Sequence, residues 1–288
     1  MLVDAIRAEG FRLSKNRTVL FWSVLFPQLL MLVGAVIGML MAKAQIGGSD
    51  EANAKMQAAM PSTGVLDIGQ SLVASGNDLA NALVLAFILI GAAILYAGDY
   101  RWETWRLVTA RNTRTNLMVG KVIVFAGLAA VAMLAFIVTG IASDFVQAAV
   151  FDRPLAFTMS ATDVGHLLAM AALALVRLVQ FVMIGLLAAA VTRSLLAALF
   201  VPLVLGVGQA FGSLLLPQAG IDPDSWFGIL VMPARALGYL NSLIVGGIPA
   251  SVVPDGMLIK AALSLGLWTL VPLAGALAWF KRQDLSKE

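Results

Sequence analysis

The sequence predicts an all-α, polytopic membrane protein, and three observations carry that expectation. Hydrophobic residues make up 60% of the 288 positions and charged residues 12%, about half the charged share of an ordinary soluble domain. The mean hydropathy is +0.93. Six windows nearly free of charge, approximately 18–42, 79–98, 122–143, 166–192, 195–216 and 258–280, each supply the ~20 apolar residues that a spanning helix needs. Alternating ten-residue segments of the transmembrane β-barrel kind are absent. Helices must therefore do the spanning, because they satisfy every backbone polar group within one segment.

Residues 1–17 precede the first span. Leu2, Val3, Ile6, Gly10 and Leu13 share one helical face while Arg7, Arg12, Lys15 and Arg17 decorate the remainder. This predicts a short amphipathic helix on the anionic inner leaflet. The first apolar run has a basic start and ends in Ala42-Lys43-Ala44 like a secretion signal. It is too long for a signal's core of about 7–15 residues and reads as a span. Gly34 and Gly38 within it form a small-x-x-x-small pair, which suits close helix packing, here inside the subunit in preference to a dimer seam.

An outer stretch from Lys43 to Asp78 is rich in Ala, Gly, Ser and Asn, and a second outer stretch occupies 217–257. The second holds two apolar pieces, Trp226 to Met232 and Ala234 to Ile248, separated by Pro233 and too short to span. They could be re-entrant, the preferred reading, or lie in the membrane interface with Trp226 and Tyr239 at headgroup depth, and the remaining alternative is a loosely packed outer cap. His166, beside Asp163 at the outer end of span four, reads as a capping or interface residue.

Orientation follows from Lys and Arg. With the N-terminus inside, thirteen of them fall on the inner side: Arg7, Arg12, Lys15, Arg17, Arg101, Arg106, Arg111, Arg114, Lys121, Arg193, Lys281, Arg282 and Lys287. The outer side receives four, Lys43, Lys55, Arg153 and Arg235. Both termini are therefore expected in the cytoplasm, and the membrane is expected to be a bacterial inner membrane.

The composition also excludes. With no cysteine and one histidine, thiolate metal sites, disulfides, a cysteine nucleophile and a His-based zinc site are closed to a single chain. The net charge of +3 is too dilute for a nucleic-acid footprint. No catalytic, metal-binding or cofactor-binding residue is expected.

The inner connection 99–121 is the most informative segment. Asp99 closes span two, Trp102 and Trp105 stand three apart among Arg101, Glu103, Thr104, Arg106, Arg111 and Arg114, and Gly120-Lys121 opens span three. Such a pattern suits a short helix lying along the membrane with a polar face toward the cytoplasm.

The acid, Thr104, Leu107-Val108, Arg114 and Gly120-Lys121 resemble the pattern of type-2 ATP-binding-cassette permeases, in which an acid is followed by Gly-Thr, a Leu pair, a Pro-x-Ser-Arg element and Gly-Lys. Ala5 to Lys15 resembles that family's N-terminal helix, and the basic tail from Phe280 to Leu285 its C-terminus. Glu103 stands where the family has Gly, and Asn112 near its usual Pro. The resemblance implies a permease subunit of an ABC transporter, an exporter, and the apolar spans and large outer stretches favour an amphipathic substrate. Its partners would be a second permease copy, in a homodimer or heterodimer, two copies of a cytoplasmic ATPase, and membrane lipids. It also implies that Glu103, Thr104, Trp105, Arg106, Arg111 and Arg114 couple the permease to that ATPase through a cytoplasmic helix. ATP and Mg belong to the partner, because Gly120-Lys121 is followed by Val122 and lacks the remainder of a phosphate loop.

Within span four, Arg177 and Gln180 lie one turn apart. A charge at membrane depth faces protein or a wet cavity. Arg177 therefore either lies on a substrate path, engaging a phosphate or carboxylate, or pairs with an outer Asp, a helix carbonyl or a dimer mate. A secondary transporter and a non-transporting scaffold or sensor are the rival functions.

Overall fold

A computed structural model describes residues 1–46, 64–101, 112–246, 253–254 and 256–283. Six helices among these are long and apolar enough to cross a membrane, so the chain is an all-α, multi-pass membrane protein.

Helix α1 (Leu2–Lys15) breaks at Asn16, whose side chain accepts from the Val19 N–H and caps α2 (Arg17–Leu20). A π-helical turn, Phe21–Leu25, leads into α3 (Phe26–Ile46). Its cause is local. Pro27 cannot donate to the carbonyl four residues back and its ring crowds that carbonyl, and the widened turn lets the Phe26 N–H reach Phe21 instead.

A short parallel pair joins β1 (Leu66–Asp67) to β2 (Leu155–Ala156), with Leu66 opposite Leu155. Asp67 then caps α4 (Ile68–Ser75), accepting from the N–H groups of Gly69 and Gln70. Thus residues 64–78 are an ordered part of the outer stretch. They pack against the two long helices α6 (Arg114–Phe151) and α7 (Ala161–Thr192).

Helix α5 (Ala82–Arg101) is the central span, 59% of its apolar window being buried, whereas the first span is 11% buried and lies at the periphery. Tyr96, Phe125, Phe181 and Phe280 form the middle of the core. The α6 helix runs 38 residues, well past the 122–143 window. Its first turns, capped by Thr113, belong to the inner connection, and its last two turns meet α4 beyond the expected span. Ser160 and Asp163 make a reciprocal capping box at the start of α7; the capping role considered for His166 belongs to them. After α7, Arg193 turns in the left-handed region and Ser194 caps α8 (Leu195–Gln218).

Two short helices follow, α9 (Trp226–Val231) and α10 (Pro233–Ile244), before the final span α11 (Met257–Arg282). Pro233 divides them at a position where its missing N–H is harmless. The hairpin packs on α11 through Ile229, Ala236, Ala261 and Leu265. Ser264 donates to the Ile229 carbonyl (2.7 Å) and Trp268 to the Leu230 carbonyl (2.8 Å), so the tip of α9 reaches the middle of α11.

Two expectations about packing change. On α1 the buried residues are Ala5, Glu9 and Leu13, while Leu2, Val3 and Phe11 are exposed. Spacing by four selects a face centred on a carboxylate, because a charged partner waits on α6. Among the described residues, nothing beyond their own helix backbone lies within 4 Å of where a Cβ on Gly34 or Gly38 would stand. They are not the intrasubunit packing pair that their spacing suggested.

Candidate functional site

Two polar sites interrupt the apolar bundle. The first joins α1 to the facing ends of α5 and α6. Lys121 Nζ lies 3.0 Å from Glu9 Oε2 and 2.5 Å from Asp99 Oδ2, and Arg12 pairs with Glu9 (3.0 Å) and Asp99 (2.5 Å). Among the described residues, two cations and two carboxylates thus form a ring. Lys121 and Asp99 are both 2% exposed and Glu9 is 5% exposed. Burial disfavours charge on Arg12, yet Asp99 and Glu9 outweigh it and hold the guanidinium above its ordinary pKa.

Gly120 eases the approach that forms this ring. A Cβ there would lie 3.2 Å from the Ala5 Cβ, so the glycine lets α1 sit directly on α6 and brings Glu9 within reach of Lys121. The ring flanks residues 102–111 on both sides.

Of the residues expected to face an ATPase, Glu103, Thr104, Trp105, Arg106 and Arg111 lie outside the described residues. Arg114 is placed. Its guanidinium donates to the carbonyls of Phe280 (2.9 Å), Lys281 (3.1 Å) and Gln283 (2.7 Å), closing the C-terminal end of α11. A cation there satisfies free carbonyls and opposes the negative end of the helix dipole. Gln283 in turn meets the Tyr100 hydroxyl and donates to the Ala190 carbonyl, tying the ends of α5, α7 and α11 together.

The second site lies midway along α7. Arg177 donates to Oε1 of Gln180 (2.8 Å) and to Oε1 of Gln209 on α8 (2.7 Å), and its guanidinium stands 4.3 Å from the Phe181 ring centre. It is 9% exposed, Gln209 4% and Gln180 fully buried. No carboxylate pairs with it among the described residues. Of the alternatives left open for Arg177, partnership with an outer Asp of its own chain is therefore not what the structure shows among those residues.

Gln209 also lines a cleft of about 430 Å³ between α8 and α10, together with Arg235, Tyr239 and Ser242. Arg235 is held by Asp224 at 2.8 Å. Lys260 donates to the Asp224 carbonyl and stands over the Trp226 ring, so the α9–α10 hairpin carries its own fixed charges. Among the described residues, no group of three or more His, Cys, Asp or Glu is arranged to hold a metal.

Sequence reasoning found Arg177 and Gln180 but not Gln209, although a glutamine inside an apolar window was the available signal. It counted Arg12 and Lys121 among the inner charges and took Asp99 as the acid closing span two, without giving Glu9 a role. Their meeting depends on a close approach between residues up to 112 apart.

Compared with protein-family models, with curated proteins and with solved structures, the chain matches none. The fold and the two sites define its class: an all-α multi-pass membrane protein with a charge-locked N-terminal helix and a buried cation midway along a spanning helix.

Proposed function

We propose that the chain is the permease subunit of an ATP-binding-cassette exporter, working as one of two permease copies and driven by a separate cytoplasmic ATPase. The observation that carries this reading is the ring of Glu9, Asp99 and Lys121, all buried, with the partly exposed Arg12. It clamps α1, the end of α5 and the start of α6 into one unit on both flanks of residues 102–111. A partner that displaced that segment would move two spanning helices and the N-terminal helix together, because interlocked buried ion pairs do not yield one at a time. The basic inner charge and the Arg114 link to α11 extend the same unit to the last span. ATP and Mg would be bound by the partner, the termini would be cytoplasmic and the membrane a bacterial inner membrane. Substrate would pass near Arg177 and Gln180, and apolar spans favour an amphipathic cargo.

The test is co-purification of a cytoplasmic ATPase with the tagged chain, and its loss. Glu103→Ala, Trp105→Ala and Arg106→Ala should leave insertion intact but weaken ATPase capture, the aromatic truncation by ~2 kcal/mol or more. Retention of full capture and full ATP-driven transport in all three would remove the main support.

A secondary transporter is the second reading, favoured by one observation: the α9–α10 hairpin, broken at Pro233, reaches the middle of α11, and α10 shares a cleft with Gln209, a partner of the buried Arg177. Transport that continues without ATPase would select it.

A further inference from the structure

We infer that Arg177, Gln180 and Gln209 form a recognition point for an anionic oxyacid group, a phosphate or carboxylate, that enters through the cleft between α8 and α10. The inference deepens the transport reading by naming the substrate's charged end, and its test needs no ATPase.

The argument begins with what arginine can do. A guanidinium only donates, so the atoms of Gln180 and Gln209 that face it must be their carbonyl oxygens, as found. That fixes both amides. Their Nε2 groups then point away from Arg177, and neither finds an acceptor among the described residues. The site therefore offers a cation with no carboxylate beside it and two buried amide donors without acceptors. Every unmet group in it is a donor or a positive charge.

Leaving such groups buried is unfavourable. Ordered water could satisfy an amide donor, but it would not neutralise the guanidinium. An anion does both at once, and guanidinium and amide N–H groups suit oxyanion geometry. Access is provided on the Gln209 side, where the amide side chain lines the cleft beside Arg235, whose charge is paired with Asp224. Tyr239 and Ser242 add hydroxyls to an otherwise small-residue wall. Phe181 stands over the guanidinium at 4.3 Å.

The chemistry could come from the head of an amphipath or from a free anion, and three probes separate them. The full chain, purified in a neutral detergent without ATPase, is heated with dodecyl phosphate, with dodecanol or with inorganic phosphate. Dodecyl phosphate is expected to raise the unfolding temperature where dodecanol does not. A rise with inorganic phosphate as well assigns a free-anion site, and no rise with it assigns an amphipath; both support the recognition point.

Arg177→Gln should weaken dodecyl phosphate binding by about thirtyfold or more. Because loss of a buried charge can block assembly, Gln209→Glu provides the second measurement. It places a carboxylate against the guanidinium, so the unliganded protein should unfold at a higher temperature while the shift with dodecyl phosphate disappears. A shift that persists in Gln209→Glu, an equal shift with dodecanol, or no shift with either phosphate overturns the inference. Failure to capture an ATPase would leave these outcomes untouched, and loss of the shift would leave ATPase capture untouched.

Discussion

Lys121 and Glu9 show how much one buried pair can decide. Each is almost wholly enclosed, and each has a second charged partner in the ring. Removing one member leaves the others buried and unbalanced, which typically costs about 3–5 kcal/mol. Glu9→Gln and Lys121→Met are each expected to destabilise the protein by that order. The double variant should be less damaging than the sum of the two by about 0.5–3 kcal/mol, because the second change removes the charge that the first left unpaired. Unfolding midpoints of the four proteins in detergent close this cycle, and strict additivity would show that the pair is not coupled. The residue types were legible in the sequence; their meeting was not, since Glu9 lies 112 positions from Lys121.

At the scale of elements, the link between α4 and the strand following α6 depends on Asp67. The Thr158 hydroxyl, then the Thr158, Gln70 and Gly69 N–H groups, donate to its carboxyl and hold it below the ordinary carboxylate value. Gly69 is required in this arrangement, because a Cβ there would lie 2.0 Å from the Thr158 carbonyl oxygen. The sign of the pH effect follows from the lowered pKa. The folded form binds this proton less readily than the unfolded chain. Its contribution to stability is fully present above the unfolded value of about 4, and it is lost as pH falls through the depressed folded value. Wild type should therefore unfold at a higher temperature than Asp67→Asn at neutral pH, and the difference should shrink as the medium is acidified below about pH 4. A difference that stays constant on acidification would show that the charge of Asp67 does not hold this corner. An Asp ahead of a helix is a readable cap signal, yet nothing local announces Thr158, ninety-one residues away.

For the whole molecule, orientation is the property on which the functional reading depends. The chain has no native cysteine, so single cysteines can report it directly. An impermeant thiol reagent applied to intact cells should label Cys introduced at Ser49, Ala161 and Asp222 and spare Cys introduced at Asn112 and Ser286. Labelling at Asn112 would invert the arrangement and place residues 102–111 out of reach of a cytoplasmic ATPase. The experiment is meaningful because the charge bias concerns sides of a membrane, whereas helix packing is the same whichever way the bundle is inserted.

The number of spanning helices and their approximate limits were determined by the sequence itself, because hydrocarbon thickness sets a length and unsatisfied backbone groups forbid the alternatives. Local chemistry also settled where several helices start, as at Asn16, Asn81, Ser194 and Ser225, whose side chains bond N–H groups two or three residues on. Which face of each span turns inward was decided only by the tertiary structure. Lipid tails are as apolar as a protein interior, so the hydrophobic pattern that marks the buried face of a soluble helix carries little information here. Helix α3 is as apolar as its neighbours yet stands at the edge, and α1 buries a carboxylate while exposing Leu2, Val3 and Phe11. The polar residues were the informative exceptions. Their positions were visible from the start, and their partners appeared only when α1 met α6 and when Arg177 met Gln209 across the interface of α7 and α8.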